Sequence, residues 1–529
     1  MTLSNLDLFV ILAYAALVLT IGLRAGGKDK SAEGYFLAGR QLRWPFIGAS
    51  LYAANISTEH LVGLAGSGYG SGLAWGVFEW IAIFCLAPLI FLFLPFYIKN
   101  QVYTVPEFLE RRFSSSVRLA FSAFMVLLAV VVKVSISLWA SSIILHSLLG
   151  WNQTLVIWGI GAATAIYTMK GGLSAVVYTD AIQATVLLLA AVILTALGLH
   201  EIGGLQALHS KLAPSYFSMI RPATDLDLPW PGVFFGVFLM GSFYFAMDQV
   251  LVQRVFAAKN LNEGRLGAAF CGWLKLLNPI LLVGPGLIAA VLYPNLARPD
   301  DAYPTLLQNL MPTGLLGLTI AGISAALMGH LSATYNSVAT LVTQDFYLKI
   351  KPHASTSQQI LTGRIAVVVV FVMGALWTPV IGNFKSLWVY LQSVSAYLMM
   401  PFACIFFLAI FWKRTNTAGV LACLGSSLVL CPLMMVNHQT GYALLPFTNT
   451  PLLRPWLHGA MLACSFSVLI LILTSLLTAH PPPEKLVSTT VSRLSDLQLQ
   501  DSRVAWYKNY QVWYGSVCLV AGVAWYLLR

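Results

Sequence analysis

Long apolar stretches separated by short polar loops run through the chain from residue 7 to residue 528. Fourteen of them approach the roughly 20 helical residues that cross about 30 Å of hydrocarbon. Apolar runs of this length predict transmembrane helices. We therefore expect an all-α, polytopic membrane protein with about 14 transmembrane helices. The predicted extents are 7–24, 44–65, 74–97, 117–149, 151–169, 174–198, 230–255, 266–293, 305–343, 360–382, 386–412, 417–437, 455–478 and 511–528.

Two of these stretches carry small and polar residues at their centres. Residues 53–60 read Ala-Ala-Asn-Ile-Ser-Thr-Glu-His, and residues 241–248 read Gly-Ser-Phe-Tyr-Phe-Ala-Met-Asp. Such residues are tolerated at mid-membrane where a broken helix lines a cavity. We expect discontinuous helices here. If the first stretch is set aside, they are helices 1 and 6, the positions that an inverted repeat of five plus five helices predicts.

The chain shows no soluble domain, so we expect one transmembrane domain. The residues before the first stretch include an acid and no base, which favours a retained helix over a cleaved signal peptide. The longest polar stretch is Pro-rich and then Ser-, Asp- and Gln-rich, which is typical of a linker. We expect the domain 1–529 to have three parts: a leading helix and loop at 7–43, a core at 44–412, and extra helices at 413–529. The core has halves at about 44–198 and 230–412. The extra helices include a cytoplasmic linker at 479–510.

Composition and charge agree with a membrane protein. Hydrophobic residues make up 58% of the 529 positions and charged residues only 9%, with a mean hydropathy of +0.78. The net charge of +11 follows the membrane rather than a nucleic-acid surface. If alternate loops lie on opposite sides, one set holds 22 of the 30 Lys and Arg residues and the other holds six. Because cytoplasmic loops carry the positive excess, we expect a multi-pass plasma-membrane protein with both termini extracellular.

Ionisable side chains inside the predicted spans are candidates for function, because charge is expensive to bury in a bilayer. They are Glu59, His60, Glu79, Lys133, Asp180, Asp248, Lys275 and His330. Each also has a structural interpretation as an ion pair or a side chain reaching an interface, and we favour it for Lys133 and Glu59.

A second set of residues offers carboxylate, amide, imidazole and ammonium groups, the mixture that hydrogen-bonds a solute with several hydroxyls. This set is Asn55, His60, Glu79, Lys275 and Gln392. Aromatic residues suited to close over such a solute are Tyr244, Phe245, Phe78 and Trp388, although for any single one we favour ordinary core packing.

Enzyme chemistry has little support in the chain. The glycine-rich segment 66–72 lacks the strand and the Gly-Lys-Ser/Thr ending of a phosphate loop. We find neither a zinc-binding HExxH pair nor a Ser/His/Asp arrangement. We therefore expect a protein that is not an enzyme.

Motifs along most of the chain resemble the sodium:solute symporter family and, within it, the sodium/glucose cotransporters. They are Tyr-Phe-Leu-Ala-Gly at 35–39, Gly-Ala-Ser-Leu-Tyr-Ala-Ala-Asn-Ile-Ser at 48–57, Gly-Gly-Leu-Ser-Ala-Val-Val-Tyr-Thr-Asp at 171–180, Leu-Pro-Trp-Pro-Gly at 228–232, Asp-Gln-Val-Leu-Val-Gln-Arg at 248–254, Asn-Ser at 336–337 and Phe-Trp-Lys-Arg at 411–414. The resemblance implies a LeuT-type core and alternating access.

The resemblance also implies a sugar site. The family's sugar-binding positions fall on Asn55, His60, Glu79, Lys275 and Gln392, with an inner gate at Tyr244. Three positions depart from the family: Gly241 and Ala82 stand where polar residues are usual, and Phe245 stands where a tryptophan is usual. The substrate implied is a monosaccharide resembling glucose or galactose, with an inositol-like polyol as the alternative. A non-concentrating sugar sensor would use the same site.

For the co-transported sodium ion, the resemblance implies a cage of backbone carbonyls and two serine hydroxyls. The corresponding positions are Ala53, Ile56, Ala326, Gly329 and His330, with Asp180 close by. Both hydroxyls are missing, and imidazole is a poor ligand for a hard cation. Two hypotheses follow. Sodium binds through carbonyls, Asp180 and water, or a charged His330 replaces the ion and transport is proton-coupled or uncoupled.

Overall fold

The computed structural model describes residues 4–26, 34, 37–382, 387–497 and 505–528. Inside helices it leaves the side chains of 19, 22–26, 170–176 and 494–495 undescribed. Several residues used above therefore lie outside the described part, wholly or in their side chains. Among the Lys and Arg residues counted above they are Arg24, Lys28, Lys30, Lys170, Lys385, Arg503 and Arg529, and among the motifs they are the first two residues of 35–39 and the side chains of 171–176.

Helices make up nearly all of the regular structure that is described, as predicted. In chain order they are α1 Asn5–Gly26, α2 Trp44–Asn55, α3 Thr58–Ser71, α4 Leu73–Asn100, α5 Val105–Arg112, α6 Ser115–Leu149, α7 Gln153–Ile202, α8 Leu205–Lys211, α9 Gly232–Ala246, α10 Gln249–Phe256, α11 Leu261–Lys275, α12 Pro279–Leu292, α13 Ala302–Leu310, α14 Leu315–Ile350, α15 Thr356–Ile381, α16 Leu387–Phe411, α17 Thr417–Gln439, α18 Trp456–Leu477 and α19 Tyr510–Leu527.

Within the described residues, eight helices are long and apolar enough to cross a membrane, and ten if two bent pairs each count as one span. The four other predicted spans coincide with α1, with α2 plus α3, with the first part of α7, and with α19. Every predicted span thus has a helical counterpart. The total of 14 remains a prediction, because these four do not meet the same criterion of length and hydropathy.

Both predicted breaks are present. α2 ends at Asn55, Ile56 and Ser57 adopt extended backbone, and α3 begins at Thr58. α9 and α10 meet at a 46° bend around Asp248. The Asp248 carboxylate accepts a hydrogen bond of 2.9 Å from the backbone N–H of Val250 and so caps α10, because the first N–H groups of a helix have no partner inside it.

A third interruption was not predicted. α11 and α12 are bent by 42° across Leu276 to Asn278. Pro279 follows at once, and it kinks a helix because it lacks a backbone donor and its ring clashes with the carbonyl one turn earlier. Lys275 is the last residue of α11 and Asn278 directly precedes Pro279, so both side chains lie at the bend.

Two predicted boundaries need correction. The stretch 305–343 comprises two helices, α13 and α14, separated by a turn in which Gly314 has a φ of +86°. The stretches 151–169 and 174–198 lie in one helical segment, α7. Tyr167 and Thr179 are nevertheless joined by a hydrogen bond of 3.2 Å, although a straight helix would separate them by about 18 Å along its axis. The segment therefore folds back between these residues.

The described part of the predicted linker is attached to one end of the helical core. Lys485 donates to the carbonyl of Glu110, Val491 N–H donates to the carbonyl of Ile410, and Arg265 donates to the carbonyl of Leu497. These hydrogen bonds, with donor–acceptor distances of 3.1, 3.0 and 2.7 Å, connect the segment to α5, α16 and α11. The linker is therefore packed against these helices.

Candidate functional site

A cavity lies where the first break meets the end of α9, with α4, α11, α14 and α16 completing its wall. Its volume is about 100 Å³. Every predicted sugar and gate residue lines it. These are Asn55, His60, Glu79, Lys275, Gln392, Tyr244, Phe245, Phe78 and Trp388.

The polar part of the wall is centred on a buried ion pair. Lys275 Nζ lies 2.7 Å from Glu79 Oε2 and also donates to the side-chain oxygen of Asn55. The three side chains are at most 5% exposed. Such a pair is tolerated away from water only when further hydrogen bonds satisfy its atoms. Here Asn55 and a second amide, Asn278 on the third bend, meet that condition.

Aromatic rings cover the cavity on two sides. His60 packs edge-on to Trp388 with ring centroids 5.3 Å apart, and Phe78 lies 6.3 Å from the same indole. Tyr244 and Phe245 form a second edge-on pair at 5.2 Å. The wall therefore combines hydrogen-bonding groups with aromatic rings, the combination found in sites for small polar solutes.

The remaining wall is mostly apolar. It includes Ala82, Cys85, Val132, Val237, Met240, Gly241, Leu391 and Met399. A Cβ on residue 241 would lie only 2.5 Å from Cys85 Sγ, so glycine is required there by the close approach of α9 and α4. The two positions that depart from the family's polar pattern, Ala82 and Gly241, thus form part of this apolar wall.

A second group of buried charges adjoins the cavity. Lys133 Nζ lies 2.5 Å from Asp248 Oδ2, and Arg254 lies 3.2 Å from Asp180 Oδ2. Glu59 accepts a hydrogen bond of 3.2 Å from Ser137. The pairing of Lys133 agrees with its structural interpretation, but Lys133 and Glu59 also line the cavity, which the sequence did not predict. In the sequence, the only sign that Lys133 and Glu59 would line the cavity was their charge inside a predicted span.

The predicted ion positions on α14 approach the first break, where Ala53 and Ile56 are buried. His330 Nδ1 lies 2.7 Å from the carbonyl oxygen of Ala54. Because a carbonyl only accepts, Nδ1 carries the hydrogen. His330 Nε2 faces Glu59 Oε1 at 3.9 Å, beyond hydrogen-bond distance. The imidazole therefore contacts the break directly.

Gly329 is explained by its surroundings. A Cβ there would lie 2.2 Å from Gln183 Oε1 and 3.0 Å from Asp180 Oδ1, so a serine does not fit this arrangement. Both oxygens are buried and have no hydrogen-bond partner within the described part of the chain. Together with the backbone carbonyls of Ala53, Ile56 and Ala326, they are oxygen ligands of the type that hard cations prefer. No group of three or more His, Cys, Asp or Glu residues suited to a metal occurs among the described residues.

A short loop outside the spans packs against α3. Residues Pro299–Asp301 approach Gly66 so closely that a Cβ there would lie 2.8 Å from Asp300 Oδ1. Asp300 Oδ2 lies 3.4 Å from the backbone N–H of Leu387, and Oδ1 has no partner among the described residues. Burial, with a smaller contribution from Asp301, raises the pKa of the Asp300 carboxyl to about 6.

Another charged cluster lies near the packed linker. Arg118 donates to Asp345 Oδ1 through Nε at 2.8 Å and through Nη2 at 2.5 Å, and it contacts Glu110 at 2.6 Å. Although burial alone would raise the pKa of Glu110, hydrogen bonds from Lys349 and Arg118 hold it at about 2. The Asp345 side chain is fully buried, so it depends on Arg118 for its charge partner.

Comparison with known proteins decides the family. The model described as "Sodium:solute symporter family" matches residues 35–425. The chain belongs to this family. Membership identifies it as a membrane transporter rather than an enzyme, and it confirms the resemblance that the motifs suggested.

Curated relatives match this chain over most of its length. It is 34% identical to sodium/myo-inositol cotransporter 2 of Oryctolagus cuniculus, over 91% of this chain and 78% of the relative. It is 35% identical to sodium/glucose cotransporter 4 of Mus musculus, over 94% and 80%. It is 34% identical to sodium/glucose cotransporter 1 of Mus musculus, over 90% and 79%.

Solved structures share the fold. A substrate-bound, outward-open Na⁺-coupled sialic acid symporter superposes with a TM-score of 0.78 at 22% identity, covering 90% of this chain and 99% of its own. A nucleobase-cation-symport-1 family transporter superposes with a TM-score of 0.52 at 16% identity, covering 86% and 97%. These likenesses confirm the predicted all-α, LeuT-type fold.

Proposed function

We propose that this symporter couples the uptake of a monosaccharide to sodium by alternating access. The observation that carries the proposal is the buried Glu79–Lys275–Asn55 cluster in a cavity between two broken helices. A sugar leaving water loses its hydrogen bonds to water, and each unsatisfied hydroxyl would cost roughly 1–3 kcal/mol. A rim of carboxylate, ammonium and amide groups replaces those bonds.

In this proposal the sugar contacts Asn55, His60, Glu79, Lys275 and Gln392. Tyr244 and Phe245 close the path on one side, and Phe78 and Trp388 close it on the other. The Tyr244 hydroxyl contacts the Asn55 side chain, which joins the gate to the polar rim. A cyclic polyol such as inositol presents similar hydroxyls, so it belongs to the same proposed substrate class.

Charge balance supports a coupled cation. Glu59, Asp180 and Asp248 face only Lys133 and Arg254 in the buried group next to the cavity, which leaves one negative charge uncompensated when His330 is neutral. Uncompensated charge is unfavourable in a low-dielectric interior. A sodium ion would supply the missing charge, held by the carbonyls of Ala53, Ile56 and Ala326 with Asp180 Oδ1 and water.

A proton is the alternative coupling ion. His330 occupies the position of a missing serine, and its Nε2 faces Glu59 Oε1 at 3.9 Å. An imidazolium at this point would neutralise the group without sodium. The two alternatives differ in what drives uptake, so gradients of each ion separate them. His330→Ser removes only the second alternative.

Coupling in either case is a difference in ion affinity between the outward-open and inward-open states. We propose that the ion orders the first break against α14 and that the two halves, about 44–198 and 230–412, then rock around the bound sugar. A tenfold sodium gradient supplies about 1.4 kcal/mol per ion, and 100 mV supplies about 2.3 kcal/mol. One sodium ion per sugar would therefore sustain an accumulation of roughly 500-fold.

The proposed setting is the plasma membrane, with the basic loops in the cytoplasm and both termini outside. The skewed distribution of Lys and Arg supports this orientation. Labelling of a cysteine added at either terminus by an impermeant reagent on intact cells tests it.

Uptake into proteoliposomes tests the proposal. Glucose, galactose and inositol should be compared in the wild type and in Glu79→Gln, which keeps the shape of residue 79 and removes its charge. We expect accumulation of at least one of them above equilibrium in the wild type and a loss of about tenfold or more in affinity in the variant. Binding without accumulation would identify a sensor, and no binding of any of the three would contradict a sugar site.

A further inference from the structure

Two buried polar residues outside the predicted sugar site form a chain that ends on Glu79. We propose that Tyr52 and Asn278 are positioning residues that turn the Glu79 carboxylate so that one oxygen, Oε1, is presented to the substrate. The inference rests on the proposed function, because it assigns a role at the same site. It adds the residues that determine how the carboxylate is aimed.

Among the described residues, every hydrogen bond to the Glu79 carboxylate goes to one of its two oxygens. Oε2 accepts from Lys275 Nζ and from Asn278 Nδ2, each at 2.7 Å. Oε1 has no donor among the described residues. Hydrogen bonds to a carboxylate are directional and roughly twice as strong as neutral ones. Two donors on Oε2 therefore fix the rotation of the group and leave Oε1 to accept a substrate hydroxyl.

Tyr52 determines which way the Asn278 amide faces. Its hydroxyl donates to Asn278 Oδ1 at 2.8 Å, and both side chains are at most 1% exposed. If the amide were reversed, Oδ1 would face Glu79 Oε2, and two acceptors would meet without a hydrogen between them. The observed orientation instead satisfies both neighbours, with Nδ2 donating to Glu79 and Oδ1 accepting the hydroxyl of Tyr52, which holds the amide in place. The hydroxyl thus acts on Glu79 through the amide.

The chain also joins moving parts of the proposed transporter. Tyr52 lies on α2, one turn before the first break, and Asn278 lies at the third bend next to Pro279. Glu79 stands on α4. The carboxylate is therefore aimed by contacts from two interrupted helices, and its orientation depends on their relative position.

Matched single-atom and near-isosteric variants test this role in purified, reconstituted protein. Tyr52→Phe removes only the hydroxyl, and Asn278→Leu removes both polar atoms while retaining the volume. Tyr514→Phe is the control, because its hydroxyl is also buried and donates at 2.9 Å to a carbonyl of α4, that of Ile83, but it does not contact the site. Uptake of each hexose and of its monodeoxy analogues gives the half-saturating concentration and the maximal rate.

For Tyr52→Phe we expect a half-saturating hexose concentration roughly three- to tenfold higher, and for Asn278→Leu about tenfold or more, with maximal rates within about twofold. The preference for the hexose over the one deoxy analogue that lacks the hydroxyl bound by Glu79 should fall at least about threefold. The preference for the hexose over each of the other deoxy analogues should stay as in the wild type. A general packing defect would instead alter the binding of all the analogues alike. Tyr514→Phe should match the wild type.

Three outcomes are decisive. Wild-type affinity and an unaltered deoxy-sugar preference in Tyr52→Phe, in protein that transports normally, would overturn the positioning role alone. An equal loss for every analogue, or the same loss in Tyr514→Phe, would also overturn it. Failure of the wild type to bind any hexose or polyol would overturn the proposed function, and the positioning role with it.

Discussion

The ion pair between Lys133 and Asp248 provides a quantitative test of the buried charge group. The two side chains are 5% and 2% exposed, and the charged atoms are 2.5 Å apart. At an effective dielectric constant of about 20, their attraction is roughly 7 kcal/mol. Desolvation of two ions costs several kcal/mol each, so the pair contributes little net stability. Removing one partner instead leaves a buried charge alone.

A double-mutant cycle separates these effects. Lys133→Met removes the ammonium, and Asp248→Asn removes the charge but keeps an oxygen that can accept the capping bond from Val250 N–H. Each single variant should lose about 3–5 kcal/mol of unfolding free energy. The double variant should lie within about 2 kcal/mol of the wild type, because both charges of the pair are removed together and the net charge of the buried group is the same as in the wild type.

Unfolding free energies from denaturant titration in mixed micelles, with uptake as a check of the native state, provide the measurement. A coupling energy of about 3 kcal/mol or more is expected. Losses in the two single variants that simply add in the double variant would refute the reasoning. They would mean that each charge is solvated independently and that the buried group does not act as a unit.

Three further predictions concern other contacts. Because the pKa of Asp300 is raised from 3.8 to about 6 in the docked loop, docking of the loop is strongest below pH 3.8 and weakens as pH rises towards 6. Amide exchange in residues 296–304, corrected for intrinsic rates, should show docking that is about tenfold weaker at pH 7 than at pH 5. The variant Asp300→Asn should show no such change. Gly329→Ser should cost about 1–3 kcal/mol of unfolding free energy, and clearly less in a Gln183→Ala background; equal costs would contradict the clash. Arg118→Met should cost about 3–5 kcal/mol by stranding Asp345, whereas a loss below 1 kcal/mol would show that Asp345 is not ionised in the wild type.

Local patterns in the sequence were sufficient to predict the two breaks. One run of small and polar residues from Ala53 to His60, and a second from Gly241 to Asp248, are signals that each lie within one stretch of chain. The polar rim was predicted because charged and amide groups are conspicuous in apolar stretches. Assigning them to one site, however, required the resemblance to a family.

Contacts between distant stretches could not be predicted in this way. The pairing of Lys133 with Asp248 joins residues 115 positions apart, and the contact of Tyr52 with Asn278 joins residues 226 positions apart. Neither separation leaves a periodic signal. The third bend was missed because Pro279 alone does not distinguish a kinked helix from a spanning one, since proline is tolerated in membrane helices.

The coupling of sodium to sugar is the central claim, and reciprocity gives its most direct test. In proteoliposomes with equal sodium on both sides, equal pH and the membrane potential held at zero, an inward gradient of the transported sugar should drive net uptake of radioactive sodium against its own gradient. At a sugar concentration well below half-saturation of the wild type, Glu79→Gln should slow this movement about tenfold or more. Equilibration of the sugar without net sodium movement, or with proton movement in its place, would contradict sodium coupling.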